Sequence, residues 1–273
     1  MTETTKTIRL NNGVEMPLLG LGVYKALGND AQQAVSCALE HGYRLIDTAS
    51  VYKNEDGVGR ALSSSSIPRE ELFITTKVWN TAQRLGDIEG AFQRSLERLG
   101  LSYVDLYLIH WPVPGCYLET WRTLERLYHS GRVRAIGVSN FEIRHLETLS
   151  QISDITPAVN QIEVHPLCSH SELVSYCQEH GIAVQAYSPL ARGAYRNKEV
   201  LLQIGRQYGK SSIQAGLRWM LQKNISVIPK AVQPEHIMAN ADVWDFEQND
   251  IEMQAIDALN ENYRTSDPPE DMQ

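Results

Sequence analysis

Eight short apolar runs recur along this 273-residue chain, and stretches with helical periodicity separate them. The runs are 18–23, 44–49, 72–78, 104–110, 134–138, 158–163, 183–188 and 226–230. The helical patterns between them are 30–42, 54–64, 87–99, 119–130, 142–150, 169–180 and 212–223. Strand–helix alternation predicts a parallel sheet with its helices outside. The runs are almost continuously apolar, as strands covered on both faces are. Eight units in a chain near ~250 residues favour closure into a (β/α)8 TIM barrel, an α/β fold, over an open doubly wound sheet.

Ahead of the first run lies IRLNNGVEMP. Its Asn12-Gly13 pair between two short strand-like runs predicts a β-hairpin that caps the N-terminal end of the barrel. After the eighth run come two extra C-terminal helices, 235–242 and 250–259, and then a polar, Pro-containing tail. No linker or low-complexity stretch divides the chain, so residues 1–273 are read as a single domain.

A formal net charge of −8 with no basic run argues against a nucleic-acid partner. No apolar stretch reaches the ~18 residues of a membrane helix, so no membrane partner is expected. MTETTKTIRL lacks the apolar core of a signal peptide. Cys37, Cys116, Cys168 and Cys177 form no CxxC pair and are expected to be reduced thiols, which points to the cytoplasm. His165, Cys168 and His170 lack a fourth ligand at zinc spacing, so no metal is expected.

In a barrel of this type the C-terminal strand ends converge on one mouth. Polar residues stand at nearly all of these ends: Asp47 and Tyr52, Lys77, His110, Ser139 and Asn140, Gln161, Tyr187 and Ser188, and Lys230. Asp47, Tyr52, Lys77 and His110 together suit reduction of a carbonyl. A phenol can protonate the forming alkoxide, but its ordinary pKa of about 10 is high for neutral pH. An ammonium beside it would lower that value. Lys77 is expected to do this, with Asp47 holding Lys77 charged and His110 orienting the carbonyl oxygen. Taken singly, each residue reads more readily as a cap, packing, a solvated charge or a structural histidine; four at consecutive strand ends favour chemistry.

DTASVYKNEDGVG, ITTKVWN, DLYLIHWP, IGVSNF, VNQIEVHP, AYSPL and IPKA…N follow one another from GLGVY to Asn240. The set resembles the aldo-keto reductase superfamily. The loop pattern is similar to its short-loop branch, which contains bacterial 2,5-diketo-gluconate reductases and protozoan prostaglandin F synthases. The resemblance implies a barrel that binds NADPH without a Rossmann domain, and no GxGxxG follows a strand here. It implies that Asp47, Tyr52, Lys77 and His110 form a catalytic tetrad, with Tyr52 as the acid. Ser139, Asn140 and Gln161 would hold the nicotinamide carboxamide, Tyr187 would stack on its ring, and Ser188 and Leu190 would meet the pyrophosphate.

At the adenosine end Lys230 and Asn240 match the family pattern. Ala231, His236 and Ala239 replace its usual Ser, Arg and Glu. A histidine is only partly charged near neutrality, whereas arginine offers a fixed cationic fork. Because Lys230 remains, NADPH preference is expected, with discrimination against NADH weaker than usual in the family. The resemblance also places Tyr24, Trp79 and Trp111 around a small-molecule carbonyl substrate and implies a monomer. The short loops PVPGCY and ARGAYRN predict a wide mouth that accepts small and aromatic aldehydes, dicarbonyls and some ketones. Two other readings compete: an aldolase-type barrel using Lys77 as a Schiff-base nucleophile, and a cofactor-binding regulatory module with slow turnover.

Overall fold

The structure is a computed structural model and describes residues 6–266. Residues 1–5 and the end of the polar tail, 267–273, lie outside the described residues. The chain opens with β1 (Thr7–Arg9) and β2 (Glu15–Pro17), an antiparallel hairpin in which Arg9 faces Glu15. Its turn is longer than the Asn-Gly pair alone suggests. Leu10 N–H donates to the Val14 carbonyl at 2.9 Å, and Gly13 takes φ 85° at the turn. Only glycine adopts that conformation without strain.

Eight parallel strands follow: β3 (Gly20–Gly22), β4 (Leu45–Asp47), β5 (Phe73–Val78), β6 (Val104–Ile109), β7 (Val133–Ser139), β8 (Val159–Glu163), β9 (Ala183–Tyr187) and β10 (Ser226–Val227). Each pairs with the next in order. Bridges from Leu19 to Val227 and from Gly22 to Lys230 join first to last and close the barrel. At this seam a Cβ on Gly22 would sit 2.7 Å from the Ile228 carbonyl oxygen, so only glycine fits. The eighth run is shorter than expected because Pro229 has no N–H to continue the ladder.

Around the barrel lie α1 (Asn29–Glu40), α2 (Glu55–Ser64), α3 (Asn80–Leu85), α4 (Ile88–Leu99), α5 (Tyr117–His129), α6 (Ile143–Ser150), α7 (Ser171–Glu179), α8 (Glu199–Gln207), α9 (Ser212–Gln222), α10 (Pro234–Ala241) and α11 (Asp250–Asp257). Helix α4 shows the rule they follow. Ile88, Ala91, Phe92, Ser95, Leu96 and Leu99 recur at three- and four-residue spacing and are buried against the sheet. Helices α3 and α8 are absent from the sequence expectation, while the other nine match it within a few residues.

Two cores result. The larger lies between strands and helices. The smaller fills the barrel: Leu45, Phe73, Leu106, Leu108, Ala135, Val159, Ala183 and Ile228, floored by Leu10 and Met16 of the hairpin. The hairpin therefore plugs the N-terminal end, as expected. Side chains two apart in a strand share a face. Continuing upward from this core in steps of two gives Asp47 on β4, Lys77 on β5, His110 after β6, Ser139 on β7, Gln161 on β8 and Tyr187 on β9. Strand parity carries all six inward.

Candidate active site

Lys77 is fully buried and Asp47 is 2% exposed. The Lys77 Nζ donates to Asp47 Oδ1 at 2.6 Å and to the Thr48 carbonyl at 2.8 Å. The Asp47 Oδ2 accepts from Gln161 Nε2 at 2.8 Å. Burial pushes each member of the ion pair toward its neutral form, Asp47 up and Lys77 down, and each opposes that shift in the other.

Tyr52 stands in a single helical turn, Ser50–Tyr52, directly after β4. Its ring lies 5.1 Å from the Lys77 Nζ and packs edge-on against His110 at 5.7 Å between centroids. Here the sequence expectation needs correcting. Burial, with Asp47, Tyr187 and Tyr24 adding to it, raises the phenol well above its ordinary value. Burial and the Asp47 charge outweigh any lowering by the Lys77 ammonium. The phenol is thus held protonated, the form a proton donor needs. His110 is shifted the other way, well below its ordinary value, first by burial and then by Lys77. Its imidazole is neutral, and its Nδ1 is buried without a hydrogen-bond partner. Trp79 packs edge-on against it at 5.0 Å. Tyr24, half exposed, lies 5.0 Å from the Tyr52 ring, and Trp111 is buried beside His110.

The arrangement has a pH consequence. A reduction that used Tyr52 as its acid and His110 as a neutral donor would need Tyr52 protonated and His110 uncharged. The histidine titrates below its ordinary 6.5 and the tyrosine above its ordinary 10.0. The expected kcat/KM profile is flat between those values. A limb inside that window, measured in overlapping buffers, contradicts the assignment of these two groups.

Ser139, Asn140 and Tyr187 are hydrogen-bonded together at the same strand ends. Ser139 Oγ donates to the Gln161 carbonyl at 2.8 Å. Asn140, in the left-handed region at φ 63°, donates through Nδ2 to the His110 carbonyl at 3.0 Å and to Ser139 Oγ at 3.1 Å. Its Oδ1 accepts from Tyr187 Oη at 2.8 Å. Ser188 and Leu190 are part-buried on the loop after β9. Lys230 and His236 are exposed, and Asn240 is buried on α10.

Residues 19–261 match the Aldo/keto reductase family. The chain belongs to this family. It is 49% identical to the glyoxal reductase of Bacillus subtilis over 272 residues, 99% of each chain. It is 46% identical to the 9,11-endoperoxide prostaglandin H2 reductase of Trypanosoma cruzi, over 96% of this chain and 94% of that one. The crystal structure of a Bombyx mori aldo-keto reductase in complex with NADP superposes with a TM-score of 0.90 at 38% identity, covering 97% of this chain and 95% of that one.

Two features of this aldo/keto reductase escape the sequence reading. One is Gln185, which accepts from Gln161 Nε2 at 2.7 Å. The other is the anchorage of the tail. Glu163, at the end of β8, accepts from the Thr265 N–H at 2.6 Å and the Ser266 N–H at 3.2 Å, and from both their hydroxyls. Burial alone would raise this carboxyl, but hydrogen bonds from His165, Ser266 and Thr265 bring it down to about 2. Ser266 Oγ lies 2.9 Å from Tyr187 Oη, so the tail reaches the end of β9 at the mouth. His165 is thus a partner of Glu163, at 3.1 Å, and Cys168 lies 3.3 Å from His170. No group of three or more His, Cys, Asp or Glu among the described residues is placed to hold a metal.

Proposed function

We propose that this protein reduces aldehydes and ketones to alcohols with NADPH, and that Tyr52 donates the proton. The observation that carries this reading is a protonated phenol and a neutral imidazole set beside a buried Asp47–Lys77 pair at one barrel mouth. A carbonyl oxygen approaching Tyr52 and His110 meets two neutral donors, which suit the negative charge that develops there. The Lys77 ammonium, fixed by Asp47 and Thr48, adds positive potential nearby. An aldolase role for Lys77 fits poorly, since a Schiff-base amine needs access and this one is fully buried.

The chain's own residues fit the cofactor. The Asn240 Nδ2 is buried with no hydrogen-bond partner, a donor without an acceptor. Ser139, Asn140 and Gln161 would hold the carboxamide, Tyr187 would pack on the nicotinamide ring, and Ser188 and Leu190 would meet the pyrophosphate. Asn240 would meet the adenine end, with Lys230 and His236 at the 2′-phosphate. When bound, the cofactor supplies the hydride. Tyr52 then delivers its proton to the oxygen while His110 holds that oxygen in place.

His236 sets the discrimination between cofactors. In His236→Arg, an always-charged planar fork replaces an imidazole, and the NADPH/NADH ratio of kcat/KM should rise about ten-fold. A ratio unchanged in both His236→Arg and His236→Ala contradicts this role.

The substrate class we favour is small dicarbonyls and aromatic aldehydes. The relative named a glyoxal reductase supports the first. The half-exposed Tyr24, packed on the Tyr52 ring at a mouth with short loops, supports the second. Prostaglandin H2 is the alternative that the Trypanosoma cruzi relative suggests. The reading places a monomer in the cytoplasm, in keeping with four free cysteines and an acidic surface. NADPH oxidation at 340 nm with glyoxal, methylglyoxal, an aromatic aldehyde and prostaglandin H2 tests it. Turnover with the first three supports the reading, and tight NADPH binding without turnover on any of them overturns it.

A further inference from the structure

A row of polar side chains crosses the barrel below the catalytic group. Gln161 on β8 is the register partner of Gln185 on β9, and Gln185 is the partner of Ser226 on β10. All three are buried and point inward. Their hydrogen bonds run in one direction. Ser226 Oγ donates to the Pro17 carbonyl at 3.2 Å. Gln185 Nε2 donates to Ser226 Oγ at 3.2 Å and lies 3.7 Å from the Met16 Sδ. Gln161 Nε2 donates to Gln185 Oε1 at 2.7 Å and to Asp47 Oδ2 at 2.8 Å.

The polarity of this row is forced from both ends. A carbonyl only accepts, so the Ser226 hydrogen is committed to Pro17. The lone pairs of Ser226 then call for an N–H, which turns the NH2 edge of Gln185 toward β10. Its carbonyl edge is left facing Gln161. At the other end an ionised Asp47 only accepts, and it too calls for the NH2 edge of Gln161. Amide orientation is inferred from hydrogen-bond partners, and here both ends give the same answer. Both hydrogens of Gln161 Nε2 are engaged within the protein, so only Oε1 remains to meet a ligand.

The rest of the barrel interior is apolar, with Leu108, Val159, Ala183 and Ile228 among its residues, so the amide of Gln185 stands out. A buried amide is unfavourable unless its hydrogen bonds are made.

We propose that Gln185 is a positioning residue for the cofactor site. By accepting the second N–H of Gln161, it locks that amide with its NH2 edge on Asp47 and its carbonyl edge toward the nicotinamide carboxamide. The N-terminal hairpin, through Pro17 and Ser226, sets the direction of the lock. The proposal rests on the NADPH reading above. Without Gln185 one buried N–H of Gln161 loses its partner, and the amide rotates to find another. Its carbonyl is then no longer held for the carboxamide.

The test is calorimetric titration of the full chain with NADPH and with reduced 3-acetylpyridine adenine dinucleotide phosphate, whose acetyl group has a carbonyl and no N–H. Wild type should bind NADPH the more tightly. In Gln185→Leu the ratio of the two Kd values should narrow about ten-fold, the size of one hydrogen bond. A purely structural role would weaken both compounds alike and leave the ratio unchanged. If Gln185→Leu does not fold, Ser226→Ala, which unpins Gln185, is read in the same way. A wild type that binds neither compound overturns the cofactor reading and the proposal with it. A wild type that discriminates, with the full ratio kept in the folded variants, overturns the proposal alone.

Discussion

Lys77→Met should lose about 3–5 kcal/mol of folding stability together with nearly all reductase activity. The stability loss follows from what stays behind. Asp47 is 2% exposed, and its remaining hydrogen bond comes from Gln161. Removing the ammonium leaves a buried carboxylate without its counter-charge, which is far worse than removing both partners. Asp47→Asn combined with Lys77→Met should therefore recover most of the stability while activity stays absent. The pH dependence has a definite sign. Burial already raises the Asp47 carboxyl, and Lys77 is the first group opposing that rise. In Lys77→Met the carboxyl rises further, so the folded state binds a proton the unfolded state does not. A group raised in this way contributes stability at low pH and loses it as pH increases. The deficit of the variant should shrink as pH falls from neutrality toward the ordinary carboxylate range. Urea unfolding at several pH values measures this. A deficit under about 1 kcal/mol, or one that grows on acidification, contradicts the buried ion pair.

Tyr52→Phe should lower carbonyl reduction about 10²–10⁴-fold, the usual contribution of a positioned acid, while NADPH affinity changes little. The substitution removes one hydroxyl and keeps the ring that packs against Tyr24 and His110. Its damage should fall on kcat, because the proton is needed only as the alkoxide forms. Stability should hold or increase slightly, since the phenol is kept neutral and carries no ion pair. Near wild-type turnover in Tyr52→Phe means that another group or a water supplies the proton.

The site was legible in the sequence to the extent that it lies on strand ends. Asp47, Lys77 and His110 each close an apolar run, and period-two geometry aims them at one axis. The direction of the Tyr52 shift was not legible. A lysine beside a phenol suggests a lowered pKa, but desolvation of the part-buried phenol outweighs it, and that depends on how Tyr24 and His110 pack around the ring. Gln185 was in principle readable, since it lies two positions before Tyr187 on the same face of AVQAY. What hid it is that its partners, Gln161 and Ser226, are 24 and 41 residues away. The Glu163 anchorage spans about 100 positions, and Glu163 in isolation reads as one more strand-end carboxylate. Helix α8 escaped because Gly205 interrupts its pattern. That glycine is required by packing, as a Cβ there would lie 2.6 Å from the Lys210 carbonyl oxygen.

Steady-state rates can hide the chemical step when cofactor release is slow. The most direct test of the central claim is therefore a single-turnover experiment. Wild type and Tyr52→Phe, each in excess over NADPH, are mixed with methylglyoxal in a stopped-flow instrument and followed at 340 nm. The account predicts rapid NADPH oxidation by wild type and a rate lower by about 10²-fold or more in the variant. Equal single-turnover rates would contradict Tyr52 as the proton donor.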